Sequence, residues 1–567
     1  MLQIVAASTA LLGSFIDGIV VSRFLGTEGM AAFGFAQIPI LICAALAMII
    51  NTGTQAISGK CFGRGDVDGV NKIISLAVNL DIIAGAIFMV IIFIFSHQIA
   101  QLCGATGDMI ELASLYLKGI APGLIFLFLG PTLTATMQMD GDPVRSFSSV
   151  AVMTVVNIIL DLVDVLVVDW GMFGMALATT ISNIVNILIL ALHFTKPNHM
   201  IQLSFKNVPF RKTLNLFKIG LPAANQQLCM FARNIFLNIF LLSLAGSSAV
   251  AAYTSLSGAL PLILAVANGF GASTLLVAGV LIGEEDKDSL IRLMKKILKL
   301  ALLSSLILGA ILFIFAGTIA SFYVSKDVAV QYAYLKSAFR IYAISSPFSM
   351  LTILLISYYQ CMEKSAYASL LSILENAVFI IGYSVILSKS LGVNAVWASF
   401  ILAEISSLLI IAVYSVLKFK KLPILNRFLL LKEEFGVPKS ERINYAIKTK
   451  EDIANLSERI IDFCSGKGIE HKRAMFAGLA MEEMVITIFE NNCDQKDLRA
   501  DVYLAHKNGG IEIHLKDNGK QFDPVKCAET LNPKDQTENI AVRLFYHIVK
   551  DCDYQYVFNL NMLSFDV

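Results

Sequence analysis

Long apolar runs constrain this chain more than any other feature of its sequence. A helix needs about 20 largely apolar residues to cross the hydrocarbon core of a bilayer, and twelve stretches meet this requirement. They cover residues 1–22, 30–50, 73–95, 113–137, 146–168, 172–194, 214–243, 249–280, 290–317, 331–359, 366–388 and 394–417. Only 15% of the 567 residues are charged, against about a quarter in soluble domains. The sequence therefore predicts an all-α polytopic membrane protein up to residue 420.

Lysine and arginine are concentrated in alternate loops, and such loops face the cytoplasm. The basic loops carry Lys60, Arg64, Lys72, Arg145, Lys196, Lys206, Arg211, Lys212, Lys287, Arg292, Lys295, Lys296 and Lys364. The intervening loops hold little beyond Arg23, Lys326 and Lys389. This asymmetry predicts that both termini are cytoplasmic. Met1 already lies within the first run, so the sequence leaves open whether residues precede it in the native chain.

The two halves of the membrane region resemble each other at a shift of about 220 residues, as in many transporters. Gly26, Gly63, Asp66 and Asn157 parallel Gly246, Gly283, Asp286 and Asn376. We therefore predict two six-helix repeats in the same orientation, an N-lobe (1–195) and a C-lobe (214–420), joined by a cytoplasmic linker (196–213). Two such lobes can enclose a cavity and rock against each other to give alternating access.

Buried carboxylates distinguish the two halves. Asp17 in span 1 and Asp161 in span 5 align with Leu237 and Ile380, so the fold itself does not require acids at these places. A charged group at the bilayer centre costs a few kcal/mol. Asn157 and Asp161 are four residues apart and face one side of a helix. Such a set suits Na⁺ or a shared proton, although a structural hydrogen bond to a neighbouring helix is the alternative.

Two further groups of polar and flexible residues allow less specific predictions. Asp164 and Asp169 approach the outer end of span 5, where interfacial solvation is expected. In the second half, Glu375, Asn376 and Met230 are candidates for a substrate cavity, and Glu404 in span 12 is a further acid. Each could contact an organic cation or be an ordinary cavity or packing residue. No Cys or His spacing predicts a structural metal, and the net charge of +1 gives no indication of nucleic-acid binding.

Several motifs resemble the multidrug and toxic compound extrusion (MATE) family. They are Asp17-Gly18, Arg23-Phe-Leu-Gly26, Gly141-Asp142-Pro143, Asn157-Ile-Ile-Leu-Asp161, Gly174…Ala178-Thr179 and Ile219-Gly-Leu-Pro222. The resemblance implies an antiporter of a bacterial-type plasma membrane that exports organic cations in exchange for Na⁺ or H⁺, without another cofactor. It also implies an N-lobe ion site at Asp17, Asn157, Asp161 and Thr179. The segment Gln226–Met230 lacks the span-7 Glu of some members, which favours the N-lobe site.

Residues 433–567 are richer in charge and predict a soluble α+β domain. The pattern predicts a strand at 443–448, helices at 450–467 and 471–492, and a hairpin of 499–507 with 510–516. It also predicts a helix at 539–551 and a last strand at 553–561. About 130 residues are enough to fold independently.

The tail also resembles the histidine-kinase-like ATPase fold, in its anti-sigma factor serine-kinase branch. The motif Asp517-Asn-Gly519 matches the adenine-binding Asp and Gly, and Glu483 with Thr487 stands where the family has Glu and a magnesium-binding Asn. The lid, Asn539–Leu544, has no glycine, whereas a phosphate-cradling loop needs close backbone approach. We therefore predict a degenerate domain that is not a kinase, doubtful in ATP and magnesium binding, and suited to a cytoplasmic protein partner.

Three alternatives to ion-coupled efflux remain at this point. A lipid-linked oligosaccharide flippase would need basic residues in its cavity, and Arg233 and Arg340 are the mid-span candidates. A membrane-tethered sensor would use the tail to bind a signalling protein. A primary pump is disfavoured because the sequence lacks a Gly-x-x-x-x-Gly-Lys-Ser/Thr loop.

Overall fold

The computed structural model describes most of the chain. The described residues are 13, 16–17, 20–21, 23–196, 200–204, 209–324, 329–418, 424–431, 435–495, 497–507, 510–524, 526–527, 542, 552–557 and 560–566. Within them, 11 helices are long and apolar enough to cross a membrane, and they coincide with predicted spans 2 to 12. Span 1 lies largely outside the described residues.

The first half of the membrane region contains seven α-helices after span 1. They are α1 (Gly26–Gly63), α2 (Val67–Ile94), α3 (Ser96–Leu102), α4 (Asp108–Ile120), α5 (Leu124–Met139), α6 (Pro143–Val163) and α7 (Met172–Ala191). A 3₁₀ turn, Ala121–Gly123, joins α4 to α5, and a π turn, Asp164–Val168, follows α6. Proline at the first position of α6 and the Asp142 carboxylate before it fix where that helix starts.

The second half follows a similar order. Its helices are α8 (Thr213–Ala245), α9 (Ser247–Gly283), α10 (Lys287–Ile314), α11 (Ala316–Tyr323), α12 (Ala329–Cys361), α13 (Ser365–Ile373), α14 (Phe379–Leu391) and α15 (Asn394–Lys418). A π turn, Leu374–Val378, joins α13 to α14. Helix α10 ends at Ile314 and α11 begins at Ala316, so the membrane helix ends a few residues before the end of predicted span 290–317. A short helix, α16 (Ile424–Phe428), leads towards the tail.

Each half has its own apolar core and an apolar outer surface. Leu117 and Phe128 are central to the first core, and Trp397 and Phe339 to the second. The outer face of α2, by contrast, exposes Ile83, Ile87, Ile91 and Ile94. Such a continuous apolar face is expected to be covered by lipid.

The two halves touch through glycines near the ends of α1 and α9. A Cβ placed on Gly63 would lie 1.9 Å from the carbonyl oxygen of Val280, and one on Gly283 would lie 2.2 Å from that of Lys60. Because only glycine allows this approach, backbone meets backbone where the helices cross. Lys60 Nζ also pairs with Glu363 Oε1 of the second half at 2.7 Å. These contacts lie on the side of the membrane that carries the tail.

A second contact on the same side joins α1 to α8. Cβ atoms on Gly53 and Gly220 would lie 2.3 Å from the carbonyl oxygen of Leu216 and 2.0 Å from that of Ile49. Ile49 also packs with Ala224 in a small apolar cluster. The described halves are therefore closed against each other on the tail side.

The described residues of the tail form a five-stranded antiparallel sheet covered on one face by helices. The strands are β1 (Arg442–Ile447), β2 (Ala500–Lys507), β3 (Gly510–Asp517), β4 (Cys552–Val557) and β5 (Leu560–Asp566), in the order β1-β2-β3-β5-β4. The helices are α17 (Lys450–Ala454), α18 (Leu456–Gly466) and α19 (His471–Asn491). The first strand, the two helical regions and the hairpin of β2 with β3 were predicted correctly.

The prediction of one last strand at 553–561 is wrong, because β4 and β5 form a hairpin there. From Tyr554 to Met562 every second residue is apolar and none is Gly or Pro, so the asparagines at 559 and 561 are the only turn signal. The predicted helix at 539–551 and the lid at 539–544 lie outside the described residues, apart from Val542.

Candidate ion and substrate sites

The predicted pair in span 5 lies on one face of α6. The amide Nδ2 of Asn157 donates to Asp161 Oδ2 at 3.3 Å, as the four-residue spacing implies. Both side chains are buried, and Asp161 is 0% exposed. Asp161 Oδ1 has no hydrogen-bond donor within the described part of the chain. A buried carboxylate oxygen in this condition requires a proton or a cation.

The described residues Gly13 and Asp17 of span 1 lie next to this pair. A Cβ on Gly13 would lie 3.2 Å from Thr154 Cγ2 and 3.9 Å from Asn157 Oδ1, so the helices are in contact there. The carboxyl groups of Asp17 and Asp161 interact directly. Asp17 Oδ1 also lacks a donor among the described residues. Two carboxyl groups and an amide therefore converge, with an oxygen left over on each acid.

Tyr116 on α4 completes this group, and the sequence analysis missed it. Its hydroxyl interacts with Thr179 and Gln37, and it lies within the field of Asp17 and Asp161. Thr179 Oγ1 donates to the backbone carbonyl of Met175 at 3.3 Å. Thr179 is thus linked to Tyr116, which lies near the two acids. Nothing in the sequence distinguishes Tyr116 from the other aromatic residues of the membrane region.

A further buried acid, Asp81 on α2, was also missed. Its side chain is 0% exposed, and neither carboxylate oxygen has a well-formed hydrogen bond within the described residues. Thr132 on α5 is its polar neighbour. The signal was present in the sequence, because a lone acid in predicted span 3 aligns with Ala301 in the second half.

The expectation that Asp164 is solvated at the interface is wrong. Its side chain is buried, and Asp164 Oδ1 accepts the backbone N–H of Trp170 at 3.0 Å. Gly174 leaves the room it needs, since a Cβ there would lie 1.9 Å from Asp164 Oδ1. Asp164 therefore holds the turn after α6. Asp169 is exposed, as expected, with a φ of 56°.

A second polar group lies inside the second half. Glu404 on α15 accepts hydrogen bonds from Ser349 Oγ at 2.6 Å and Thr352 Oγ1 at 2.7 Å. Glu375, in the π turn, interacts with Glu404, and its Oε2 has no donor among the described residues. The π turn widens the helix, which directs Glu375 inward. The two glutamates form an acidic pair within the protein.

Arg233 on α8 lies close to this acidic pair. It is 4% exposed, with its guanidinium 5.2 Å above the ring of Phe400, and its charge acts on both glutamates. Asn376 is buried and donates to the carbonyl of Ser372 at 3.1 Å. Arg340, in contrast, is exposed over the ring of Phe313. One buried arginine opposite two glutamates does not make the basic cavity that a flippase would need.

Met230, the remaining candidate, lies half-buried on α8 one turn before Arg233. A flexible thioether at such a place can adapt to ligands of different shape. Glu375, Asn376 and Met230 thus all lie in the second half, with Arg233 near the acidic pair.

A polar cluster at the tail-side end of the first half was not anticipated. His193 contacts Asp140 Oδ2 through Nε2 at 2.7 Å and Asp142 Oδ2 through Nδ1 at 3.1 Å. Lys196 Nζ donates to Asp142 at 2.5 Å. Burial acts to raise the pKa of Asp142, but the hydrogen bonds from Lys196 and His193 outweigh it and hold that pKa below its usual value. This cluster joins α5, α6 and α7.

The candidate nucleotide residues of the tail are engaged within the protein. Asp517 Oδ1 accepts Asn561 Nδ2 at 2.7 Å and the backbone N–H of Gly519 at 2.8 Å. Burial raises the pKa of Asp517, against the effect of these two hydrogen bonds. Thr487 Oγ1 donates to the carbonyl of Glu483 at 2.9 Å. The motif therefore serves as a structural turn in this conformation.

Comparison with known proteins agrees with a transporter. The sequence profile of the MatE family matches residues 4–163 and 222–386, which is more than half of the chain. A family match of this length, on a fold with apolar helices long enough to cross a membrane, identifies a polytopic membrane transporter and not an enzyme. The chain belongs to the MATE family.

Curated relatives and solved structures point the same way. The chain is 22% identical over 338 residues to the probable multidrug resistance protein YoeA of Bacillus subtilis, covering 57% of this chain and 72% of that protein. It is 29% identical over 233 residues to the multidrug export protein MepA of Staphylococcus saprophyticus, covering 41% of this chain and 51% of that protein. The chain thus spans about half the length of MepA.

Among solved structures, the fold matches an outward-facing conformation of a multidrug resistance MATE family transporter, with a TM-score of 0.68 at 23% identity. The match covers 72% of this chain and 92% of that one. A MOP superfamily transporter from Pyrococcus furiosus gives the same values. The match to the family profile ends at residue 386, before the tail.

Proposed function

We propose that this protein is a secondary active transporter that exports organic cations in exchange for Na⁺ or H⁺. The observation that carries the proposal is the convergence of Asp17, Asn157 and Asp161 in the first half. Each acid has a buried oxygen without a donor among the described residues. Such an oxygen binds a cation or a proton, and either ion can be released when the site is exposed to the other side of the membrane.

Alternating access between two lobes supplies that change of exposure. Helices α1 and α2 have 38 and 28 residues, and α9 and α10 have 37 and 28. This similarity supports the proposal of two six-helix lobes in the same orientation. The contacts between halves on the tail side then correspond to one end state, closed towards the cytoplasm.

The acidic pair of the second half supports an organic cation as the substrate. Glu375 and Glu404 exceed Arg233 by one negative charge when both are ionised. A lipophilic cation would gain from that charge and from adaptable neighbours such as Met230. The names of YoeA and MepA concern multidrug resistance and export in those proteins, and we propose the same substrate class here.

The test is efflux of a fluorescent organic cation from vesicles that contain the purified protein. We expect export when an inward Na⁺ or pH gradient is imposed without ATP, and none when the gradient is collapsed by an ionophore. Separate Na⁺ and pH gradients identify the coupling ion. Efflux that is independent of both gradients would contradict the proposal.

We also propose that the tail regulates transport from the cytoplasmic side without hydrolysing ATP. Because Asp517 Oδ1 is already occupied by Asn561 and Gly519, we expect a fluorescent ATP analogue to bind the full-length protein with a Kd no tighter than about 1 mM. We expect Asp517→Asn to leave transport near the wild-type rate. Saturable binding at micromolar concentration that is lost in Asp517→Asn would instead establish a nucleotide site.

A further inference from the structure

Two short turns on the tail side are built alike and lie in opposite halves. The 62–66 turn follows α1 and the 283–286 turn follows α9. Each places one residue at positive φ, Gly65 at 76° and Glu285 at 59°. Each then uses an aspartate, Asp66 or Asp286, to cap the next helix through a backbone N–H at 2.7 or 3.0 Å. Both turns lie beside the crossing of Gly63 and Gly283, so the distance between the two turns must increase when the halves separate on this side.

The tail is anchored firmly to the second half. Its connecting segment is held where Tyr359 Oη donates to the carbonyl of Phe428 at 2.7 Å and Lys364 Nζ to that of Leu430 at 2.5 Å. Leu429, Leu430 and Leu431 are buried in an apolar cluster of this half. The start of the tail therefore moves with the second half.

Charge complementarity continues this anchor onto the sheet. Three basic residues of the sheet meet the acidic segment around the 283–286 turn. Arg442 pairs with Asp288 at 2.7 Å, Lys507 pairs with Glu285 at 3.2 Å, and Lys516 pairs with Glu284. Glu284 and Arg442 are themselves largely buried. These ion pairs add to the anchor at residues 429–431, so the second half holds the tail both through the connecting segment and through side chains of the sheet.

The other edge of the same sheet rests on the first half. Met562 of β5 packs into the apolar cluster around Phe62. A Cβ on Gly65 would lie 3.4 Å from Asp553 Oδ2 and 3.7 Å from Ser564 Oγ. Apolar packing of Met562 and the close approach of Gly65 are central to this contact, and the backbone N–H of Tyr556 on β4 also donates to Met200 Sδ at 2.8 Å.

These contacts lie on the face of the sheet that α18 and α19 do not cover. Leu515 and Leu563 point to the helices and belong to the core of the tail, whereas their neighbours Lys516 and Met562 face the membrane region. Lys516 and Met562 are paired across β3 and β5. Within this adjacent pair, Lys516 contacts the second half through Glu284, and Met562 contacts the first half through the cluster around Phe62.

We infer that the tail is a brace across the two halves that stabilises the conformation closed on the tail side. The inference rests on the proposed alternating-access transport. Opening on this side separates the 62–66 turn from the 283–286 turn, and a single sheet cannot follow both. The sheet then leaves the first half and remains on the second, because the buried segment 429–431 ties the start of the tail to the second half. The tail therefore slows the step that opens the transporter towards it.

The test weakens the contact with the first half from either side in the full-length protein. Met562→Glu places a charge in the apolar cluster. Gly65→Asp keeps the left-handed backbone, which Asp tolerates, but places a second carboxylate beside Asp553 of β4 without altering the tail. Met475→Glu is the matched control, since Met475 is exposed on α19, away from the membrane region.

The readout is hydrogen–deuterium exchange in lipid nanodiscs. We expect exchange in peptides covering residues 57–66 and 276–286 to rise by about fivefold or more in both variants and to stay at the wild-type level in Met475→Glu. Preserved protection of β2 and β3 shows that the tail remains folded. Unchanged exchange in both variants, with β2 and β3 protected, would overturn the brace. No substrate is needed, so a failure of the proposed function is seen separately, in the efflux assay.

Discussion

Replacing Asp161 by Asn is expected to abolish gradient-driven export of an organic cation while the protein still folds and inserts. Asn is close to Asp in size and can still bond Asn157, but it carries neither a charge nor an exchangeable proton. Contacts to a charged group contribute roughly 1.5–3 kcal/mol each, so ion affinity should fall about ten- to a hundredfold. Asp17→Asn should act similarly, because Asp17 and Asp161 interact directly.

Asp169→Asn is the matched control for this experiment. Asp169 follows the same helix but is exposed, and its φ of 56° suits Asn. Efflux rates in vesicles, with thermal unfolding monitored in detergent, separate loss of coupling from loss of fold. Wild-type rates in both Asp161→Asn and Asp17→Asn would eliminate the site in the first half.

Gly63→Ala should have the second-largest effect, by disfavouring the closed tail-side state. The added Cβ would lie 1.9 Å from the carbonyl oxygen of Val280, so the helices must move apart. Overpacking of this kind costs about 1–3 kcal/mol, enough to shift the equilibrium between end states by roughly fivefold to a hundredfold. We expect slower transport and faster labelling of native Cys61 by a membrane-impermeant maleimide, resolved by peptide mass spectrometry.

The same helix offers a control at Gly34. A Cβ on Gly34 meets nothing within 4 Å among the described atoms, so Gly34→Ala makes the same chemical change without a clash. It should transport and label like the wild type. If Gly63→Ala behaves like Gly34→Ala, the close crossing of α1 and α9 is not needed in the transport cycle.

The membrane helices were predictable because crossing a bilayer requires long apolar runs, and these are visible in one dimension. The pairing of Asn157 with Asp161 was predictable because four residues make about one helical turn. Tyr116 and Gln37 were not, since their approach to the acids depends on how α4 and α1 pack. Asp81 could have been found by extending the comparison between halves to span 3.

In the tail, local patterns predicted the first strand, the two helical regions and the β2–β3 hairpin. The β4–β5 hairpin was missed because the segment has neither Gly nor Pro, and its regular alternation masks the weaker turn signal of Asn559. The Asp517 motif suggested adenine contacts, yet Asn561 on β5 occupies its carboxylate. That partner lies 44 residues away in the chain, beyond the reach of a local motif.

By itself, the sequence determined that this chain crosses a membrane many times and carries an α+β tail. It also showed that acids in the first half have no acidic counterpart in the second. These properties follow from hydropathy and periodicity, which depend on neighbouring residues. Only the tertiary structure decided which acids meet, that the halves are closed on the tail side, and that one sheet touches both. Those contacts join residues hundreds of positions apart, as in the pairing of Lys516 with Glu284, and their energies depend on packing that no local pattern encodes.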